Sequence, residues 1–381
     1  MYSASSAFRQ AVANGNPQMA LLLFPDCVFS NRDLDMEKGI EFNDYFNTED
    51  DLTVGLTPSN EISFSILNAD RLLNDYEFGE FTATIGVMTA RSGYQQSGNA
   101  RVMIGNDLYV GNTNYPYITR NGNIMDYQPN FAVRSFLVNG NRMYAFGDNG
   151  KYKVYNTANG ISVNETVNAY MLNKAANQWR GWGINWQAGT KTLKTWHNGS
   201  AETYEFAPLG NFTADRPDVP DVLWVDFTCH DAMTKFDIDM PTAQQLGITY
   251  PVTLGVLLSK MCQYVGVPLR SAAFINSGVT LDKAPQEFEN ASMRTVLGWI
   301  AEAAASIARI DRDGYLKMDW VRETDQSLDE TGYTEFSPKW YETQPVGKIY
   351  NRSVTEGKER IYGDGTVEYL IQDNPFLREE G

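Results

Sequence analysis

Residues 292–320 read SMRTVLGWIAEAAASIARIDRDGYLKMDW. The spacing of the apolar residues predicts an amphipathic helix that begins after Ser292, a residue type favoured at the helix N-cap. Two short strands, Ile307 to Ile310 and Tyr315 to Trp320, are then predicted to pair across an Asp-Gly turn. The predicted buried stripe of the helix contains Met293, Val296, Leu297, Ile300, Ala304 and Ile307. The stretch therefore predicts a helix followed by a hairpin.

A second helix is predicted upstream, where apolar residues recur on one helical face and the pattern ends at Gly266 and Pro268. The stretch LWVDFTCHDA before it, from Leu223 to Ala232, is typical of a strand that ends in polar residues. The residues on the predicted helix face are Leu254, Leu257, Leu258, Met261, Cys262 and Val265. We expect residues 237–320 to form a small α/β domain.

Short alternating segments predict strands in residues 20–90. One strand alternates at Ile62, Phe64 and Ile66. A second is predicted to bury Phe81, Ala83, Ile85 and Val87. An antiparallel β-barrel or sandwich is the expected arrangement.

Residues 98–215 are rich in Asn, Gly, Tyr and Trp, and four tetrapeptides in this block are typical of hairpin turns. These are RNGN at 120–123, VNGN at 138–141, GDNG at 147–150 and HNGS at 197–200. The first part of the block predicts a β-meander and the last part a further hairpin. We interpret this block as an all-β insertion.

The charge of the chain argues against nucleic acid as a specific partner. Lys and Arg number 31 against 47 Asp and Glu, a formal net charge of −16. Phosphate contacts need basic side chains, which this chain has in deficit. The N-terminus lacks the basic segment of a signal peptide, and no apolar run is long enough for a membrane span. We expect a protein made in a host cytoplasm without a signal peptide.

Few residues suit catalysis or metal binding. The two histidines, His197 and His230, fall in different predicted domains, and Cys229 should point away from its neighbour His230 in a strand. Asp311 and Asp313 fit a turn better than a calcium loop. The other carboxylates considered are Asp237, Asp239, Glu379, Glu380 and the GDG turn at 363–365. We expect no catalytic residue, no cofactor and no metal site.

Four of the eight tryptophans lie close together in QWRGWGINWQAGTKTLKTW. They are Trp179, Trp182, Trp186 and Trp196. Aromatic planes among Asn and Gly suit contact with a glycan or a protein surface. The alternative is that they form the core of a small β-domain, because large aromatic residues are mostly buried.

Several of these segments, in this order, resemble the baseplate-hub and tail-associated protein family of bacteriophage tails. The segments are the strand ending VDFTCHDA, the helix VTLGVLLSKMCQYVGVPL, the stretch ENASMRTVLGWIAEAAASIARIDRDGYLKM and the final DNPFL. GLTPSNEISFSILNADRLLNDYEFGEF also looks like the first barrel of that family. The likeness covers roughly residues 20–90 and 222–377, and residues 98–215 depart from it.

This resemblance implies an α+β, mainly β chain with two β-barrel domains, a small α/β domain and an all-β insertion in the first barrel. The implied boundaries are 1–97 with 216–236 for the first barrel, 98–215 for the insertion, 237–320 for the α/β domain and 321–381 for a second barrel, truncated if the natural chain continues.

The resemblance also implies a structural virion protein and no enzyme. Such a protein forms a homotrimeric ring that closes the tail tube and connects it to the host-contacting tip. Its partners are the distal tail protein, the tail tube, the tape-measure protein and, through the tip, the host cell envelope. DNA passes through the lumen of the ring without specific binding. The alternative is a carbohydrate-binding module or carbohydrate-active enzyme that uses the tryptophan cluster.

Overall fold

The computed structural model describes residues 4–35, 37–45, 54–69, 71–74, 76–93, 99–214, 223–319, 348–352, 359–362, 368–372 and 374–377. Strands predominate over helices in these ranges. The helices are α1 (Ser6–Ala13), α2 (Ala169–Asn177), α3 (Ala243–Leu246), α4 (Leu254–Val265) and α5 (Met293–Ala303). Short 3-10 helices cover Ala188–Thr190, Ala232–Phe236 and Gln286–Asn290.

The strands follow one another along the whole described chain. They are β1 (Gln18–Leu23), β2 (Val28–Ser30), β3 (Ile40–Asn43), β4 (Glu61–Leu67), β5 (Glu80–Gly93), β6 (Ala100–Ile104), β7 (Asp107–Gly111), β8 (Ile118–Arg120), β9 (Asn123–Ile124), β10 (Ser135–Asn139), β11 (Arg142–Phe146), β12 (Tyr152–Asn156), β13 (Ser162–Val163), β14 (Gly183–Gln187), β15 (Thr192–His197), β16 (Ser200–Thr213), β17 (Trp224–Asp231), β18 (Val252–Thr253), β19 (Thr280–Leu281), β20 (Ile307–Ile310), β21 (Leu316–Asp319), β22 (Lys348–Arg352), β23 (Glu359–Tyr362) and β24 (Glu368–Gln372).

The chain divides into two compact units. The first unit contains residues 1–39, 64–209 and 215–227, and the second contains 40–63, 210–214 and 228–381. The chain passes between the units just before β3, within β4, within β16, between β16 and β17, and within β17. The boundaries of the four domains expected from the sequence stay a prediction, because the two compact units do not correspond to four separate domains.

The first unit is built on one extended sheet. Its strands follow the order β13-β12-β11-β10-β14-β15-β16-β5-β1-β2, and most neighbours are antiparallel, with β10 and β14 parallel. A four-stranded sheet, β6-β7-β8-β9, packs against β10, β14 and β15. The core between the two sheets includes Val102, Tyr109, Ile118, Phe136 and Tyr155.

All four predicted hairpin turns of the first unit are confirmed. They connect β8 to β9, β10 to β11, β11 to β12 and β15 to β16, and the β-meander is β10-β11-β12. Both residues of the turns Asn121-Gly122, Asn149-Gly150 and Asn198-Gly199 have positive φ. Such turns follow the right-handed twist of the strands they join, and Asn and Gly adopt positive φ most readily.

Closed barrels were expected, but the strands that the structure describes do not close into one. The strand order of the first unit is an open path with β13 and β2 at its ends, and β16 branches by also pairing with β17. Most of the second predicted barrel, 321–381, and the GDG turn at 363–365 lie outside the described residues. Of that region the structure describes Asn374 to Leu377 and a three-stranded sheet of order β23-β22-β24.

The alternation predicted for the N-terminal strands holds in β4, where Ile62, Phe64 and Ile66 are buried. In β5 it breaks at Ile85, which is 38% exposed, while the neighbouring Thr84 is buried. The Thr84 hydroxyl donates a hydrogen bond to the carbonyl of Leu21 at 3.3 Å, so burial leaves this polar group satisfied.

The second unit contains both predicted helices. Helix α4 begins after Thr253, whose hydroxyl accepts a hydrogen bond from Val256 N, and it ends at Gly266 in the left-handed conformation. Helix α5 begins after Ser292, whose hydroxyl accepts from Thr295 N, as predicted.

The predicted stripe of α5 extends too far at its C-terminal end. The helix ends at Ala303, and Ile307 is the first residue of β20. Ala305, with a φ of +50°, turns the chain between the two elements. The hairpin of β20 and β21 forms as predicted, with Ile307 opposite Asp319, while Trp320 lies outside the described residues.

No helix in the described ranges is both long enough and apolar enough to cross a membrane.

Candidate functional site

A concave pocket of about 530 Å³ lies within the first unit. Its floor is one face of the sheet formed by β10, β14, β15 and β16. Facing positions in the register contribute every second residue: Leu137 opposite Ile184, Ile184 opposite Thr195, and Thr195 opposite Glu202. The remaining floor residues are Asn139, Trp186, Leu193, His197, Ser200 and Tyr204. Because side chains alternate along a strand, this period of two produces one continuous lined surface.

Other elements of the first unit form the walls. Residues of β1, β2 and the loops beside them lie on one side. The lining is completed by Arg91 of β5, Lys174 of α2, Trp179, Trp182 and Asn198. A volume of about 530 Å³ falls within the range of roughly 300–1,000 Å³ found for small-molecule sites.

A glycine at the start of β14 allows this strand to lie close to β6. Gly183 begins β14, and a Cβ atom at this position would overlap the carbonyl of Arg101 in β6. Glycine therefore allows β14 to pack closely on β6. Trp182 immediately before it and Trp186 three residues after it then lie on the pocket side.

The Trp182 ring contacts two side chains, Arg32 from a distant segment and His197 from β15. The guanidinium of Arg32 lies 4.8 Å from the Trp182 ring centroid, and the His197 ring stacks on Trp182 with centroids 4.2 Å apart. Burial, and secondarily the positive charge of Arg32, lower the pKa of His197. The imidazole is therefore neutral at neutral pH.

A buried ion pair supports the wall behind Trp179. The Lys174 ammonium contacts the Asp33 carboxylate, with side chains 1% and 0% exposed, and lies 5.3 Å from the Trp179 ring centroid. Asp33 also accepts hydrogen bonds from the Tyr170 hydroxyl at 2.9 Å and from Ser30 N at 2.7 Å. The charges of Lys174 and Asp33 therefore compensate each other.

The rim carries a more exposed pair. Arg91 lies 3.4 Å from Glu202, and its guanidinium donates to the Ser200 hydroxyl at 3.2 Å. The Tyr204 hydroxyl donates to Glu202 at 3.2 Å. Burial, followed by the charge of Glu202, raises the pKa of Tyr204 to about 12, so this hydroxyl stays a hydrogen-bond donor.

The four predicted tryptophans separate into different environments. Trp182 and Trp186 are half-buried and line the pocket, and Trp179 lines it while being 6% exposed. Trp196 does not line the pocket but packs against the core between the two sheets. It lies between the floor residues Thr195 and His197, so its side chain points to the opposite face of β15.

Sequence reasoning missed Arg32, His197 and Lys174 as neighbours of these tryptophans. Arg32 and Lys174 come from distant segments, and α2, which holds Lys174, was not predicted. The alternation of Trp182, Ile184 and Trp186 was the available signal that these three share a face.

The titratable side chains that line the pocket are few. A hydrolytic site for glycosides ordinarily needs two carboxyl groups at the reacting bond. Glu202 is the one carboxylate among the described residues that lines the pocket, and Asp33 behind the wall is paired with Lys174. In the described part of the chain no group of three His, Cys, Asp or Glu side chains could hold a metal ion.

The other residues considered for chemistry have structural contacts. Cys229 is buried and His230 exposed on opposite faces of β17, as predicted. Asp237 pairs with Arg294 at 2.8 Å, and Asp311 and Asp313 both contact Arg270. Asp239 makes a β-bridge to Ser292, while Glu379 and Glu380 lie outside the described residues.

Neither the family models nor the curated proteins include a match to this sequence. Among solved structures, the 43 kDa tail protein of prophage MuSo2 from Shewanella oneidensis is similar at 9% identity, over 93% of this chain and 72% of that chain, with a TM-score of 0.34. At this identity and TM-score the likeness does not establish a shared function.

Proposed function

We propose that this chain is a structural protein of a bacteriophage or phage-like tail, and that it forms the hub at the distal end of the tail tube. The observation that carries the proposal is that the segments with the hub-like order pack into one core in the second unit. Helix α4 contributes Leu257 and Met261, helix α5 contributes Leu297 and Ile300, and β21 contributes Leu316.

The C-terminal part of the pattern joins the same core. Phe376 and Leu377 of the DNPFL segment are buried in it. The Asn374 amide donates to the carbonyl of Trp299 at 2.9 Å and to Glu302 at 2.8 Å, and Asn374 Oδ1 accepts from Phe376 N at 3.0 Å. The order of these segments in the sequence is thus matched by their packing, which supports the resemblance.

The Asp that ends the strand VDFTCHDA also has a structural environment. The Asp231 carboxylate accepts hydrogen bonds from Ser59 Oγ and Asn60 N at 2.9 Å and from Met233 N at 3.0 Å. Burial raises the pKa of Asp231. These contacts fasten a loop and cap a 3-10 helix, which supports a scaffold without a catalytic role.

The proposal includes a homotrimeric ring in the virion, at the tail tip or baseplate. Its partners are the distal tail protein, the tail tube and the tape-measure protein. A closed ring provides partners for exposed strand edges. A trimer carries 3 × (−16) = −48 formal charges. Acidic residues facing the lumen would repel DNA and let it pass without specific binding.

The mass of the purified chain in solution tests the ring. Light scattering over a concentration series is expected to give about three times 42.8 kDa. A mass of 42.8 kDa at every concentration, also in the presence of the tail-tube and distal tail proteins of the same particle, contradicts the hub. Labelling of intact particles with an antibody against this chain then tests the tail itself, since label away from the tail end contradicts the location.

A further inference from the structure

We infer that the pocket of the first unit binds an anionic saccharide, one that carries carboxylate or phosphate groups. Arg32 and the Trp182–His197 stack receive the charged end, and Trp186 receives a sugar ring. This inference goes beyond the hub proposal and does not depend on it.

The charge of the pocket is opposite to that of the chain. Three cations line it, namely Arg32, Arg91 and Lys174, against one carboxylate among the described residues, Glu202. Lys174 is compensated by Asp33 and Arg91 by Glu202. Arg32 is the one of these three cations that forms no ion pair with a described carboxylate.

Arg32 is positioned to bind an anion. It is exposed, and its guanidinium donates one long hydrogen bond, 3.4 Å, to the carbonyl of Gln178. Within the described part of the chain no carboxylate lies at ion-pair distance from it. The guanidinium lies over the Trp182 ring, and this contact leaves its charge unneutralised. A carboxylate or phosphate can accept two parallel hydrogen bonds from such a group.

Trp186 supplies an apolar platform in the same pocket. It is half-buried, and its one aromatic contact in the described structure is edge-on, with Phe206 at 5.4 Å between centroids and an interplanar angle of 80°. The C–H face of a pyranose ring is apolar and flat enough to pack on an indole. Trp186 can therefore hold the sugar ring while Arg32 holds the acidic group.

Polar groups at the pocket suit the hydroxyls of a sugar. The side-chain amides of Asn139 and Asn198 are exposed, line the pocket and make no hydrogen bond to other described residues. An amide both donates and accepts, as does a sugar hydroxyl. A ligand with a dense set of hydroxyls satisfies both groups, whereas a purely apolar ligand would leave them unpaired.

Calorimetric titration of the whole chain with matched ligands tests the inference. The probes are a purified oligogalacturonate, a phosphorylated oligosaccharide and a neutral galactose oligomer of the same length, with inorganic phosphate as a fourth. At least one acidic oligosaccharide is expected to bind roughly tenfold or more tightly than the neutral one, since hydrogen bonds to a charged group are the stronger ones. The stronger of the two acidic ligands identifies the anionic group.

Three variants and a matched control assign the residues. Arg32→Gln is expected to abolish the preference for the acidic oligosaccharide and to leave binding of the neutral one unchanged. Trp186→Ala is expected to weaken both, and Trp186→Phe to retain a platform for both. Arg9→Gln removes an exposed arginine of α1 that does not line the pocket, and it is expected to change nothing.

Four results overturn the inference: no heat with either acidic oligosaccharide, equal affinity for the acidic and neutral ligands, equal affinity for inorganic phosphate alone, or equal effects of Arg32→Gln and Arg9→Gln. Each variant is first checked by circular dichroism and urea unfolding, so that loss of binding is not loss of folding. The oligomeric mass of the chain is a separate measurement, so failure here leaves the hub proposal standing.

Discussion

Replacing Lys174 by Met removes one charge of a fully buried ion pair and leaves the Asp33 carboxylate without its cation. Met has nearly the length of Lys, so the change leaves little empty volume. Removing one partner of a buried pair typically costs about 3–5 kcal/mol, because the other charge stays buried and uncompensated. The side chains of Lys174 and Asp33 are 1% and 0% exposed, which places this pair in that class.

The hydrogen bonds that remain on Asp33 set the expected size of the loss. Its carboxylate keeps the Tyr170 hydroxyl at 2.9 Å, Ser30 N at 2.7 Å and the Ser30 hydroxyl at 3.1 Å. The Lys174 ammonium also donates to the carbonyl of Val28 at 2.9 Å, and that bond is lost. We expect the low end of the range, about 3 kcal/mol in the free energy of unfolding.

Urea unfolding followed by tryptophan fluorescence measures this loss, because four tryptophans lie in or beside the pocket of the same unit. For an m-value of about 2 kcal/mol/M, a loss of about 3 kcal/mol corresponds to a midpoint shift of roughly 1.5 M. The double variant Asp33→Asn/Lys174→Met removes both charges and is expected to recover at least half of the loss. Lys38→Met is the control, since Lys38 and Asp226 form an exposed pair at 3.0 Å that contributes at most about 1 kcal/mol.

Two outcomes refute the reasoning. A loss below about 1 kcal/mol for Lys174→Met means that the buried carboxylate is compensated by its hydrogen bonds alone. A double variant as unstable as the single one means that the loss comes from altered packing around the substituted side chain rather than from the unpaired charge of Asp33.

Three further predictions concern other parts of the chain. Because the pKa of Asp231 is raised in the folded state, the folded protein binds a proton at this carboxyl more tightly than the unfolded chain does. As the pH falls from neutral, the wild type should therefore gain stability relative to Asp231→Asn. A difference in urea midpoints between the two proteins that is constant with pH contradicts this prediction. Asn374→Ala should lower the free energy of unfolding by about 1–3 kcal/mol, because it removes two donated hydrogen bonds in a buried setting. Urea unfolding followed by circular dichroism measures this loss. An unchanged free energy of unfolding would mean that the DNPFL segment does not stabilise the core of the second unit. Gly150→Ala should lower the free energy of unfolding by about 1–2 kcal/mol, because the φ of Gly150 is +69°. Gly189→Ala is the control and should cost less, because Gly189 has equally open space and no positive φ. Equal urea midpoints for the two variants refute the argument from the turn.

Local patterns predicted much of the secondary structure correctly. The Asn-Gly turns, the caps at Ser292 and Gly266 and the stripe of α4 follow from residue types within a few positions of one another. The same local rules gave two answers at Ile307, which was predicted both in the buried stripe of α5 and as the first residue of a strand. Ile307 continues the helical spacing of α5, yet it lies in β20, because the chain turns at Ala305 and pairs with β21.

The tryptophan cluster shows the same division. The sequence by itself determined that Trp182 and Trp186 share a face of their segment, since every second residue of an extended chain points to the same side. It also determined the hairpin that brings β15 back against β16. These are consequences of backbone geometry and of short-range turn chemistry.

Only the tertiary structure decided which face of that sheet is covered. The β6–β9 sheet packs on one side, where the half-buried Trp196 contacts the core, which leaves the other side to form the pocket with Arg32 and Lys174. Those contacts join residues more than 140 positions apart, as between Asp33 and Lys174. Their formation depends on the free energy of burying whole surfaces, which no local sequence pattern contains.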